Sequence, residues 1–148
     1  MIVRWILATL HLIALGIGLG AIFARGYVLR RMTEARALRT VFLADSFWAL
    51  AGVLWLTTGL LRAFGGFEKG SDYYVHSSSF WIKMALFVTV VALEIWPVMT
   101  LFQWRLQGLD FMPKLSAVRG MAWISYIQAL LVVLIVLAAT AMARGLNP

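Results

Sequence analysis

The chain has 148 residues, of which 63% are hydrophobic and 13% charged, with a mean hydropathy of +0.90 and a net charge of +7. Soluble domains carry nearer a quarter charged residues, so an ordinary water-soluble fold is excluded. The absence of cysteine excludes a disulfide, a thiolate metal site and a cysteine nucleophile.

Four stretches are long enough to cross the hydrocarbon of a bilayer, which takes about 20 helical residues. The first span is predicted from Val3 to Phe23. It is too long for a secretory signal, lacks a small-residue cleavage site and runs into an arginine-rich segment, so a retained helix is expected. Arg4, His11, Gly18 and Arg25 recur at seven-residue spacing and share one face with Ala14. Gly16, Gly20 and Ala24 form a second, small-residue track of the kind that brings helices together. The 24–42 connection holds Arg25, Arg30, Arg31, Arg36 and Arg39 against Glu34, and reads as a short amphipathic helix on the membrane surface.

The second span is expected from Leu43 to Leu61, with Asp45 at its start, where a carboxylate complements the helix dipole and can pair with Arg25. Asp45, Gly52 and Gly59 also repeat at seven, which marks a packing face. The loop RAFGGFEKGSDYYVHSSS follows. Its glycines and serines break helix, and it is long enough to fold over the mouth of a bundle. The third span runs from Phe80 to Phe102 and contains Lys83, Glu94 and Pro97; the fourth runs from Met121 to Met142. Between them lie Arg105, Lys114 and Arg119 against Asp110.

One domain, residues 1–148, is therefore expected: an all-α integral membrane protein, a four-transmembrane-helix bundle. Positive charge concentrates on the side of the 24–42 and 104–120 connections. The positive-inside rule makes that side cytoplasmic, with both termini on the outer side of a bacterial inner membrane. Membrane orientation accounts for the net charge, and no nucleic-acid partner is implied. The expected partners are the lipid bilayer and, beyond it, other membrane-protein subunits or further copies of the chain.

Ionisable groups inside apolar spans are costly, roughly 3 kcal/mol on insertion scales and more by other estimates, so they are where function is sought. A haem iron needs an imidazole on a helix and space against its face, which His11 and Gly18 provide. The plainer alternative is a His11 hydrogen bond to Thr57 or Thr58 on the second span. The other histidine, His76, lies in the outer loop. Lys83 either snorkels to the outer headgroups or turns inward toward His11. Glu94 and Gln128 fall at comparable depth. They form either a simple hydrogen bond with Glu94 protonated or a proton relay. Trp55 is the deepest tryptophan and either lines a pocket or fills the core. No P-loop, zinc spacing, Ser–His–Asp arrangement or dinucleotide fingerprint is present.

The runs LHLIALGIGLGAIFARG, TGLLRAFGGFEKG, FWIKM and LEIWPVMT resemble the bacterial membrane family catalogued as domain of unknown function 2214, over nearly the whole length. That resemblance implies architecture and no activity. Leu10-His11 and Lys83 in FWIKM are also distantly similar to the CopD-like superfamily. It includes copper-resistance proteins and haem-binding protoporphyrinogen oxidases. In those oxidases a first-helix histidine and a third-helix lysine are functional. The likeness implies a pocket in the outer half holding haem b or a porphyrin for electron transfer or redox chemistry. His11 would be the axial metal ligand, Lys83 a second ligand or propionate partner and Arg62 a rim contact, with Gly18, Thr58 and Trp55 as lining. The third span ends in EIWP and the wider oxidase pattern is missing, so the likeness implies haem or porphyrin binding more than the oxidase reaction. Two rivals stand beside it: a cofactor-free accessory subunit, which the small-residue track and short loops suit, and a small oligomeric proton-coupled transporter using Glu94.

Overall fold

The computed structural model describes residues 1–65 and 78–144, apart from the side chains of residues 63, 79, 142 and 143. Four long helices, α1 (Ile2–Arg30), α2 (Leu38–Phe64), α3 (Ser78–Gln107) and α4 (Leu115–Ala143), make up the fold. Each is long and apolar enough to cross a membrane, and no strand occurs among the described residues.

Every helix is longer than hydropathy predicts, mainly at the end carrying the 31–37 and 108–114 connections, hereafter the loop end. The surface helix expected over 24–42 is not there. α1 continues to Arg30, and a single 3-10 turn (Ala35–Ala37) leads into α2 at Leu38. The reason is physical: hydropathy marks where hydrocarbon stops, whereas arginine is a good helix former and the helix runs on past it. Glycine and proline punctuate the second connection. Gly108 ends α3 with a φ of +88°, a conformation that strains any residue with a Cβ. Pro113 precedes α4, whose first turn is closed by Lys114 O accepting from Ala117 N and Val118 N.

α1 is packed against α2 and α4, and α3 packs against α4. α2 and α3 meet through large side chains instead of close backbones: Trp55 edge-on to Phe87 at 5.8 Å, and Phe64 to Phe80 at 6.5 Å. The tightest apolar cluster lies toward the loop end and joins Leu29, Leu38, Val41, Leu101, Trp104 and Met121. Elsewhere the molecule is inside out, with Trp5, Val53, Phe102 and Trp123 all more than 60% exposed. In water that surface would aggregate, whereas in lipid it is the solvated one.

Small residues set the two close seams of α1. A Cβ on Gly26 would lie 3.1 Å from Ser125 Cβ and 3.3 Å from the Ala122 carbonyl oxygen, so α1 and α4 are nearly in backbone contact there. Gly18 faces Ala51 and the Trp48 ring on α2. The Gly16–Gly20 track, expected to join helices, has nothing within 4 Å of either position and instead floors an open groove. A Gly26→Val variant should therefore lower the detergent-solubilised melting temperature clearly, overpacking of this kind costing about 1–3 kcal/mol. Gly20→Val should leave it nearly unchanged. Thermal unfolding followed by circular dichroism checks both.

Candidate functional site

The side chain of Arg25 is completely buried in the bundle, although the residue stands less than two turns from the end of α1. Helical side chains lean back toward the N-terminus. Arg25 is thereby carried away from the nearby headgroup region and toward Gln128, within reach of polar groups on all three other helices.

A guanidinium has five N–H donors, and here all five find acceptors. Nε donates to Ser125 Oγ at 3.0 Å. Nη1 donates to Asp45 Oδ1 at 2.9 Å and to Glu94 Oε1 at 2.7 Å. Nη2 donates to Glu94 Oε2 at 2.9 Å and to Gln128 Oε1 at 3.0 Å. The Glu94 contact is thus a two-bond fork, the strong, planar form of the arginine–carboxylate pair. One side chain from α1 is tied to α2, α3 and α4 at once.

The acceptors are themselves held. Ser125 Oγ gives its own proton to Met121 O at 2.9 Å, leaving a lone pair for Arg25. The Gln128 amide donates to Glu94 Oε2 at 2.7 Å and to Val90 O at 3.2 Å. The outer oxygen of Asp45 accepts from Arg105 Nη2 at 2.9 Å, and the same nitrogen reaches Phe42 O at 3.1 Å. Two cations, Arg25 and Arg105, face two anions, Asp45 and Glu94, and the cluster balances in charge. That balance matters because an uncompensated charge out of water costs several kcal/mol.

Several expectations meet their outcome here. Asp45 pairs with Arg25, and Glu94 with Gln128, as the sequence suggested. Arg25 itself, grouped with the surface arginines, belongs in the core. Glu94 is held by more than Gln128. Three N–H donors, two from Arg25 and one from Gln128, converge on its two oxygens.

The other candidate group lies nearer the chain termini. His11 Nδ1 is 2.9 Å from Thr58 Oγ1. Thr58 spends its hydroxyl proton on Leu54 O at 2.6 Å, so His11 Nδ1 is the donor of the pair. The imidazole lies 5.7 Å from the Trp55 ring centre and against Gly59, where a Cβ would fall 3.2 Å from His11 Cε1. The plainer alternative for His11 is thus the geometry found. Trp55 Nε1 is buried with no partner among the described residues. Lys83 is half-buried, its ammonium 6.0 Å from the centre of the Phe80 ring. Arg62 is half-buried near the end of α2, and His76 lies outside the described residues.

Among the described residues no room for a flat ring is left beside Gly18. The space beside Gly18, read as room for a flat ring, is filled by Ala51 and Trp48. The remaining hollow among Ala14, Gly18, Gly52 and Trp55 measures about 10 Å³, no more than one water. No group of three or more His, Asp or Glu side chains converges as a metal site among the described residues.

Removing Arg25 leaves two carboxylates facing each other without their shared cation. Arg25→Ala should therefore destabilise the bundle severely, by about 3–5 kcal/mol. Arg25→Lys keeps the charge but has three donors in place of five, and should rescue only part of the loss. Arg25→Met combined with Asp45→Asn and Glu94→Gln should recover more than Arg25→Lys does. Melting temperatures of the purified variants in one detergent distinguish these outcomes.

The model of the family described as "Predicted membrane protein (DUF2214)" matches residues 3–147. No curated protein and no solved structure matches the chain. The likeness to the CopD-like superfamily stays an expectation of the sequence. With a match over nearly every residue, and four helices of spanning length around one polar centre, the chain belongs to the DUF2214 family of predicted membrane proteins.

Proposed function

We propose that this protein works without a redox cofactor, as a small structural or accessory module of the bacterial inner membrane. The observation that carries this reading is the saturation of Arg25: its five N–H groups are spent on side chains of its own bundle. A guanidinium kept for substrate or porphyrin carboxylates would retain donors facing a cavity. Filled space beside Gly18 adds support. Orientation follows the positive-inside rule. Arg30, Arg31, Arg36, Arg39, Arg105, Lys114 and Arg119 gather at the loop end and support a cytoplasmic loop end with both termini outside.

A second reading, a proton relay through Glu94 and Gln128, has one observation in its favour. The side chains of Asp45 and Glu94 keep 14% and 17% of their exposure, while Arg25 keeps none. In that reading the carboxylates exchange protons through that residual exposure. Protein in liposomes with an internal pH dye would then pass protons under an imposed potential, and Glu94→Gln would abolish the flux. The structural reading expects no flux above that of empty liposomes.

The main reading is checked by the absorption spectrum of detergent-purified protein before and after dithionite. A colourless preparation is expected, with Arg25 variants altering stability alone. A Soret band that sharpens on reduction and disappears in His11→Ala overturns the reading and restores haem b, bound through His11 Nε2 since Nδ1 is engaged by Thr58.

A further inference from the structure

A groove of about 540 Å³ runs along the outside of the α1–α4 seam. Its floor is shallow backbone, because Gly16 and Gly20 put no side chain there. Phe23 and Tyr126 stand at its loop-ward end with ring centres 5.7 Å apart, and Leu130 and Val133 form the α4 wall.

The two helix stripes that line it continue past the groove. On α1, Gly16, Gly20, Phe23, Tyr27 and Arg30 follow one another at three- and four-residue steps, and so lie on one face. On α4, Val133, Leu130, Tyr126, Trp123 and Arg119 do the same in the opposite direction. The apolar trench therefore opens onto an aromatic rim and then two exposed arginines. The Arg30 guanidinium lies 6.0 Å from the Trp123 ring centre, and Arg31 stacks at 4.6 Å on Tyr27. Among the described residues no carboxylate comes within 4.0 Å of Arg30, Arg31 or Arg119. Of the acidic side chains at the loop end, Asp45 is engaged by Arg25 and Arg105 and Glu34 by Arg36, while Asp110, in the 108–114 connection, lies more than 4.0 Å from all three of these arginines.

An apolar trench with an unneutralised cationic mouth at the aromatic belt has the shape and polarity of one phospholipid. We infer that the α1–α4 groove is a binding site for an anionic phospholipid. An acyl chain lies along Gly16 and Gly20, and the phosphate sits between Arg30 and Arg119. Charge decides the occupant. A zwitterionic lipid brings its own cation into the mouth. A second copy packed on this face about an axis normal to the membrane sets Arg30 and Arg119 against their own equivalents at the same depth, a like-charge juxtaposition. Basic recesses between spanning helices on the cytoplasmic side bind anionic headgroups by the same electrostatics.

Native mass spectrometry of the full chain released from detergent, with added phosphatidylglycerol or phosphatidylcholine, tests this. Phosphatidylglycerol should be retained preferentially. Each arginine near the surface contributes about fivefold in affinity, so Arg30→Gln with Arg119→Gln should cost at least about tenfold. The melting temperature of lipid-free protein should not move, since neither arginine joins the buried cluster. Gly16→Leu with Gly20→Leu should reduce retention of both lipids while leaving the fold intact. Equal retention of the two lipids overturns the inference, as does indifference to the arginine pair. A dimer abolished by the glycine pair also overturns it and makes a second copy the occupant.

Discussion

The five N–H groups of Arg25 reach all three neighbouring helices. The tertiary arrangement follows from where their acceptors must stand. In a bilayer the helices gain little from burying apolar side chains against one another, because lipid is as apolar as leucine. What separates the folded bundle from four loosely associated spans is the cost of leaving the guanidinium, Asp45 and Glu94 unpaired in hydrocarbon. Each helix brings one part of the solution, and no helix can leave without exposing a charge. The geometry is also specific, because a planar fork accepts a carboxylate in one orientation.

Around that centre the packing is graded. The loop end is dense, with Leu38, Val41 and Met121 fully enclosed, and Gly26 brings α1 and α4 to near backbone contact. The α2–α3 side is looser, bridged by the rings of Trp55 and Phe87 and by Arg105 reaching across to Phe42 and Asp45. The two carboxylates of the ionic centre keep a residual exposure that Arg25 lacks. The His11–Thr58 bond is a second, smaller tie between α1 and α2, nearer the termini. It fixes the ring without drawing on the ionic centre.

The four spans, their order and the pairings of Asp45 with Arg25 and of Glu94 with Gln128 were legible in the sequence. Charge-free runs of membrane length and shared depth are local properties that a chain displays directly. The location of Arg25 was not legible in the same way. It follows a long apolar run and precedes four more arginines, so composition assigns it to the surface. Only the backward lean of its side chain, together with Glu94 at matching depth on α3, argues for burial. The seven-residue spacing from His11 and Gly18 was the available signal, since it set Arg25 on the packing face. Gly18 misled for a related reason. A missing side chain reads equally as room for a ligand or as contact with a helix, and only the position of Trp48 decides between them.

The arginine side-chain ¹⁵N–¹H spectrum of the detergent-solubilised protein tests the central claim most directly. A guanidinium held on every N–H cannot rotate or exchange freely. Arg25 should give five separate signals protected from water, all lost in Arg25→Lys. Averaged, rapidly exchanging Nη signals from every arginine would contradict the account.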